Sequence, residues 1–212
     1  MATTEAAFVP LESGDRLSRA EFHRRYCARP DIKKAELVRG VVYVPSPVRH
    51  RYHGWQNGLM VLWLSAFAAR HPELDVAVNS TVFMADDSEV QPDAALFRLP
   101  AAGAPAPGVR LREDGYLEGA PELIVEIAAS SAAYDLYDKM DLYREVGVQE
   151  YIVWQVLERR IDWFRLREGR YMPLQPDAHG VMESEVFPGL RLDVTAMLAG
   201  DRARVLAALN PR

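Results

Sequence analysis

Short apolar runs broken by single charged residues set the pattern of this chain. The clearest lies between Pro121 and Trp154. Leu123-Ile124-Val125 runs unbroken into Glu126, and a turn of small residues follows (Ala128-Ala129-Ser130-Ser131). Apolar positions then recur at helical spacing over 133–146, closed by Gly147, before a second apolar run at 150–154. Strand, helix and strand are predicted in that order, with Ser131 as helix cap and Gly147 as stop.

The same reading extends along the chain. Ser18 with Glu21 forms a capping box for a short helix ending near Cys27. Residues 35–38 and 41–44 alternate as two strands about a tight turn at Gly40, and Pro45-Ser46-Pro47 stops them. A long helix is expected from His50 to Arg70, with Leu59, Leu62, Trp63 and Phe67 on its apolar face. Strand pieces follow at 74–78 and 81–84, a turn at Asp86-Asp87-Ser88-Glu89, and a strand over 90–97. The stretch 100–108, rich in Ala, Pro and Gly, reads as a loop inserted between strands. Beyond Trp154 an alternating strand (161–166) turns at Glu168-Gly169-Arg170 and returns from Tyr171. An edge strand over 183–187, a further strand over 190–194 and a short helix complete the prediction. This C-terminal third offers no chemistry and reads as scaffold or as a homodimer surface.

Composition narrows the function classes. With 212 residues, 49% hydrophobic and 26% charged, the chain has enough apolar sequence for a sizeable core. One domain over 17–212 is expected, preceded by a flexible N-terminus over 1–16. A net charge of −5 exerts no global pull on nucleic acid. The arginines of the first helix (Arg19, Arg24, Arg25) read as a solvated face or a basic arm. One cysteine excludes an intramolecular disulfide. No apolar run reaches bilayer length and the first residues lack a signal peptide's pattern, so a cytoplasmic protein without membrane contact is expected.

The candidate chemistry is carboxylate and ammonium. Glu126 ends a buried run. Asp93, after Pro92, precedes another (Ala94-Ala95-Leu96-Phe97). Acids in such positions demand cationic partners. Asp135, Lys139 and Tyr143, spaced by four, form one helical stripe, either a surface ion pair or a set of groups turned back on Glu126. Alternation leaves open whether Glu36 faces solvent or this centre. Asp93 and Glu126 could hold magnesium on one face, with Lys139 stabilising phosphoryl charge. His50 and His53 form half of a zinc site that nothing nearby completes, so a site-edge or surface place suits them better. Cys27 has no placed partner, and acyl-transfer, Walker and dinucleotide motifs are absent.

An ordered set of motifs adds to this. Gln91-Pro92-Asp93, Pro121 to Ile127, Ser130, Asp135, Lys139, Tyr143 and Gly147 to Tyr151 closely resemble the Uma-two endonuclease-like family, within the PD-(D/E)XK restriction-endonuclease-like superfamily. Glu36-Leu37 with Gly40, Pro45-Ser46-Pro47 and His53 fit as well. The resemblance spans roughly 35–194. It implies an α/β (α+β) fold with a mixed central β-sheet flanked by helices and a C-terminal β-hairpin extension. It implies a magnesium-dependent (or manganese-dependent) DNA endonuclease, with Asp93 and Glu126 as metal ligands, Lys139 catalytic and Glu36 an added acid. His53, Ser130, Asp135 and Tyr143 would lie at the site's edge or contact phosphate. Where the superfamily pattern has lysine, two residues after the glutamate, this chain has Ala128, and Lys139 is the stand-in. A non-cutting nuclease fold that binds nucleic acid or protein is the alternative.

Overall fold

The computed structural model describes residues 10–45, 47, 49–99, 108–129 and 134–210. The expected loop at 100–108 lies, except for Gly108, outside them, as do Ser130 to Ala133 and residues 1–9.

Helix α1 (Arg19–Cys27) starts as the capping box predicts, with the Ser18 hydroxyl accepting from the Glu21 amide. Strands β1 (Glu36–Val38) and β2 (Val41–Tyr43) pair across Arg39-Gly40, both at positive φ (50° and 75°), the two-residue turn whose twist suits a hairpin. Residues 10–16, within the segment expected to be flexible, are irregular but tied to this hairpin. Leu11 is buried beneath it, and the Gly14 amide donates to the Val42 carbonyl.

The predicted long helix is interrupted. A 3-10 turn (His50–Tyr52) precedes α2 (Gly54–Ala68), and between them His53 leaves helical geometry at φ −158°. His50 and His53 therefore do not share a helix face. The next strands are β3 (Leu74–Val78), β4 (Val82–Ala85), β5 (Ser88–Val90) and β6 (Ala94–Arg98). The turn expected over 86–89 is shorter, because Ser88 and Glu89 pair into β5. The strand expected over 90–97 is two strands in two different sheets, split at Gln91-Pro92-Asp93. Pro92 has no amide to give a ladder, so the chain crosses between layers there.

Strands β7 (Arg110–Leu111), β8 (Leu117–Glu118) and β9 (Leu123–Ala128) lead to a π-helical turn at Asp135–Lys139 and α3 (Met140–Val146). Gly147 closes α3 at φ 87°. The chain continues through β10 (Glu150–Gln155), β11 (Arg160–Arg167), β12 (Arg170–Pro173), β13 (Val181–Glu183), β14 (Arg191–Asp193), α4 (Val194–Ala199) and α5 (Arg202–Ala208). The edge strand expected over 183–187 ends at Glu183. The segment beyond it instead wraps the buried Glu150 carboxylate, which accepts from Ser184 Oγ and from the amides of Glu185 and Val186.

The expected mixed sheet flanked by helices is present, and among the described residues a second six-stranded mixed sheet accompanies it. One runs β12-β11-β10-β9-β6-β3, with β9 and β10 parallel; the other runs β2-β1-β5-β4-β8-β7. Strand alternation sorts β9. Leu123, Val125 and Ile127 pack with α2 and the C-terminal helices, whereas Ile124 and Ala128 pack toward the second sheet and α3. Glu126 belongs to the second set, in the layer between the sheets.

The π turn that carries Lys139 is fastened to the sheet by Tyr151, whose buried hydroxyl donates 2.9 Å to the Asp135 carbonyl. Removing that hydroxyl in Tyr151→Phe is expected to cost about 1–2 kcal/mol of stability, measured as a lower urea midpoint with an unchanged slope.

Candidate active site

Sheet register brings the two predicted acids together. Strands β6 and β9 run antiparallel with Ala94 opposite Val125. Asp93, one residue before β6, therefore falls opposite Glu126, one residue after Val125. Asp93, Glu126 and Lys139 are each 2% exposed. Lys139 Nζ donates to Glu126 Oε1 at 2.8 Å and lies 2.9 Å from Glu36 Oε1 and 3.8 Å from Asp135 Oδ1. Its stripe is thus an interior one, and Tyr143 continues it, with the hydroxyl donating 2.8 Å to Glu126 Oε1. The Lys139 ammonium also sits 5.3 Å from the centre of the Tyr134 ring.

Glu36 takes the interior face. Besides meeting Lys139, its Oε1 accepts from the Gln91 amide at 2.7 Å, bracing the crossover that presents Asp93. Asp93 is held by three donors of its own: His53 Nε2 at 3.0 Å, Lys34 Nζ at 3.2 Å and the Ile127 amide at 2.8 Å. His53 is freed for this by its departure from helical geometry. Ser130 lies outside the described residues. Lys34 is absent from the sequence-based set. The signal was its place two residues before Glu36, because alternate residues of an extended segment share a side.

The two acids differ in proton affinity. Burial would raise Asp93, but His53, Lys34 and the Ile127 amide outweigh it and hold its carboxyl below the usual range. Burial pushes Glu126 up to about 8 against the pull of Lys139. Burial would lower Lys139, yet Glu126, Glu36 and Asp135 raise it well above an ordinary lysine. Lys34 is raised in the same way, with Glu36 and Asp93 outweighing its burial. A site with one acid kept ionised, one acid whose proton affinity is raised and two charged ammonium groups is equipped for anion and proton chemistry.

The donor types suit magnesium: hard carboxylate oxygens from two adjoining chain segments, opposite one another, with no thiolate near them. Among the described residues no three His, Cys, Asp or Glu groups are arranged as a metal ligand set. Lys34 and Lys139 sit on the oxygens that a divalent ion would take. The donors suit such an ion by their chemistry, and in this arrangement ammonium groups are the cations paired to them.

Comparison with known proteins agrees with the fold. A family model described as Uma2, putative restriction endonuclease, matches residues 19–195. No curated protein matches the chain. Among solved structures, the crystal structure of a putative nuclease belonging to DUF820 from Anabaena variabilis aligns with a TM-score of 0.60 at 15% identity. That alignment covers 83% of this chain and 96% of the other. At this identity the likeness is one of fold.

Substituting Lys139 by Met strands two buried acids. Stability measured by urea at pH 7.5 in EDTA is expected to fall by about 3–5 kcal/mol. Without Lys139 the buried Glu126 would titrate higher still, so the deficit should widen as pH rises past about 8, where the paired carboxylate ionises and the stranded one keeps its proton.

Proposed function

We propose, from the premise that this chain belongs to the Uma2 family of putative restriction endonucleases, that it is a nuclease hydrolysing phosphodiester bonds of DNA. The observation that carries this reading is the meeting of Asp93 and Glu126 on one face of adjoining strands, with the Lys139 ammonium 2.8 Å from Glu126.

Asp93 and Glu126 would hold a magnesium ion, with manganese as a substitute. When bound, that ion supplies charge stabilisation at the phosphate and a more acidic water. The protein's own groups do the rest. His53 and the Ile127 amide fix the Asp93 carboxylate. Glu36 and Asp135 share Lys139, and Tyr143 anchors the Glu126 carboxylate. Lys139 keeps positive charge against the acids from within. Lys34, with its side chain 22% exposed, is the ammonium that a phosphate from solvent would meet. His53, at 19%, stands at the same edge.

A second reading has an observation behind it. Glu126 and Lys139 are sealed from solvent and already neutralise each other. A nuclease fold that binds nucleic acid or protein without cutting would tolerate that arrangement, and the net charge of −5 agrees with it.

Supercoiled plasmid separates the two. The nuclease reading expects nicking with magnesium or manganese, none in EDTA, and a loss of at least about a hundred-fold in Asp93→Asn and Lys139→Ala, or about 2.7 kcal/mol of barrier. Nicking that survives both changes removes the site assignment, and salt-dependent binding without nicking supports the second reading. Lys34→Ala is expected to weaken DNA binding and to reduce the slope of log K against log salt by about 0.9, one phosphate contact.

A further inference from the structure

The fold gives Cys27 partners that the sequence did not. It is the chain's single cysteine, exposed at the last position of α1. His23 lies four residues earlier on the same helix, with Nε2 3.5 Å from the Cys27 sulfur. The other ring nitrogen, Nδ1, faces both carboxylate oxygens of Glu89 at 3.0 and 3.1 Å. Glu89 is 1% exposed on β5. The imidazole is set edge-on against Phe83 and Tyr116, with ring centres 5.2 and 5.1 Å away, and the Tyr116 hydroxyl is 3.7 Å from the same sulfur.

This is nucleophile, base and orienting carboxylate in sequence, the arrangement that activates thiols generally. An ion pair that only anchors α1 to the second sheet would account for His23 and Glu89. It would not require the free ring nitrogen and a tyrosine hydroxyl to converge on one exposed sulfur. Positive charge gathers at the same corner. The guanidinium carbons of Arg19 and Arg112 lie 5.3 and 4.8 Å from the centre of the Phe83 ring, against which the imidazole is set. Burial raises Glu89 despite the opposing pull of His23.

We propose that Cys27 is a redox-modification site, a thiol deprotonated by His23, with Glu89 orienting the ring, that reacts with hydrogen peroxide. The thiolate attacks one peroxide oxygen, an S–O bond forms and the O–O bond breaks. The departing hydroxide takes the proton held at His23 Nε2 and leaves as water. Sulfur loses two electrons, the peroxide gains two, and the product is a sulfenic acid. With no second cysteine in the chain, the sulfenic acid condenses with an external thiol, releasing water and leaving a mixed disulfide.

The test uses the full chain at pH 7. Alkylation by iodoacetamide, and oxidation by hydrogen peroxide with dimedone capture, are followed by intact mass. The same chain unfolded in guanidinium chloride is the reference. Native Cys27 is expected to react at least about tenfold faster than the unfolded chain, and His23→Gln should abolish that advantage. Glu89→Gln should reduce it while circular dichroism shows a folded protein. Tyr116→Phe supplies the second variant if Glu89→Gln does not fold, and it too should slow the reaction. A native rate no faster than the unfolded one, or a folded His23→Gln protein reacting at the wild-type rate, overturns the proposal.

Discussion

An ammonium group leaves water only where carboxylates are waiting for it, and Lys139 is met by Glu126, Glu36 and Asp135. Each comes from a different part of the chain. Glu126 lies within the central strand pair, Glu36 belongs to the first hairpin, and Asp135 opens the π turn on which Lys139 itself rides. The ion cluster therefore joins both sheets and the following helix at one point. Hydrophobic burial holds each layer together, but this cluster requires those layers to meet in one alignment.

The centre divides its charge in a way that composition does not suggest. Lys139 is enclosed and committed to acids, and Lys34 stands partly in solvent beside Asp93. One cation serves the framework and the other faces outward. The neighbouring acids are separated too. Asp93 is surrounded by donors and stays ionised, whereas burial raises the proton affinity of Glu126 against the pull of Lys139. Two carboxyl groups opposite one another in register thus occupy different electrostatic environments.

Much of this was legible in the chain. The apolar runs that follow Asp93 and lead into Glu126 marked the strands, and helical spacing grouped Asp135, Lys139 and Tyr143. The ordered motifs indicated the family. What local pattern could not carry was the crossing between sheets. The run over 90–97 reads as one strand, because alternation does not record that Val90 and Ala94 pair with different partners. The second sheet escaped for the same reason, since β7 and β8 are two residues each and owe their pairing to tertiary contact. His53 was placed in a helix because its flanks are helical, yet its bond to Asp93 prevails over that tendency. Glu89 looked like a turn residue until its pairing put it beside His23.

The Gln91-Pro92-Asp93 crossover has a mechanical consequence. The chain leaves one sheet at Val90 and enters the other at Ala94, with the ionised acid at the step. Any force on that carboxylate is shared by both layers, as a rivet shares load between two plates. The centre and the scaffold then cannot loosen independently: slippage between the sheets would pull the acids out of register, and a disturbance at the acids would be felt across the whole stack.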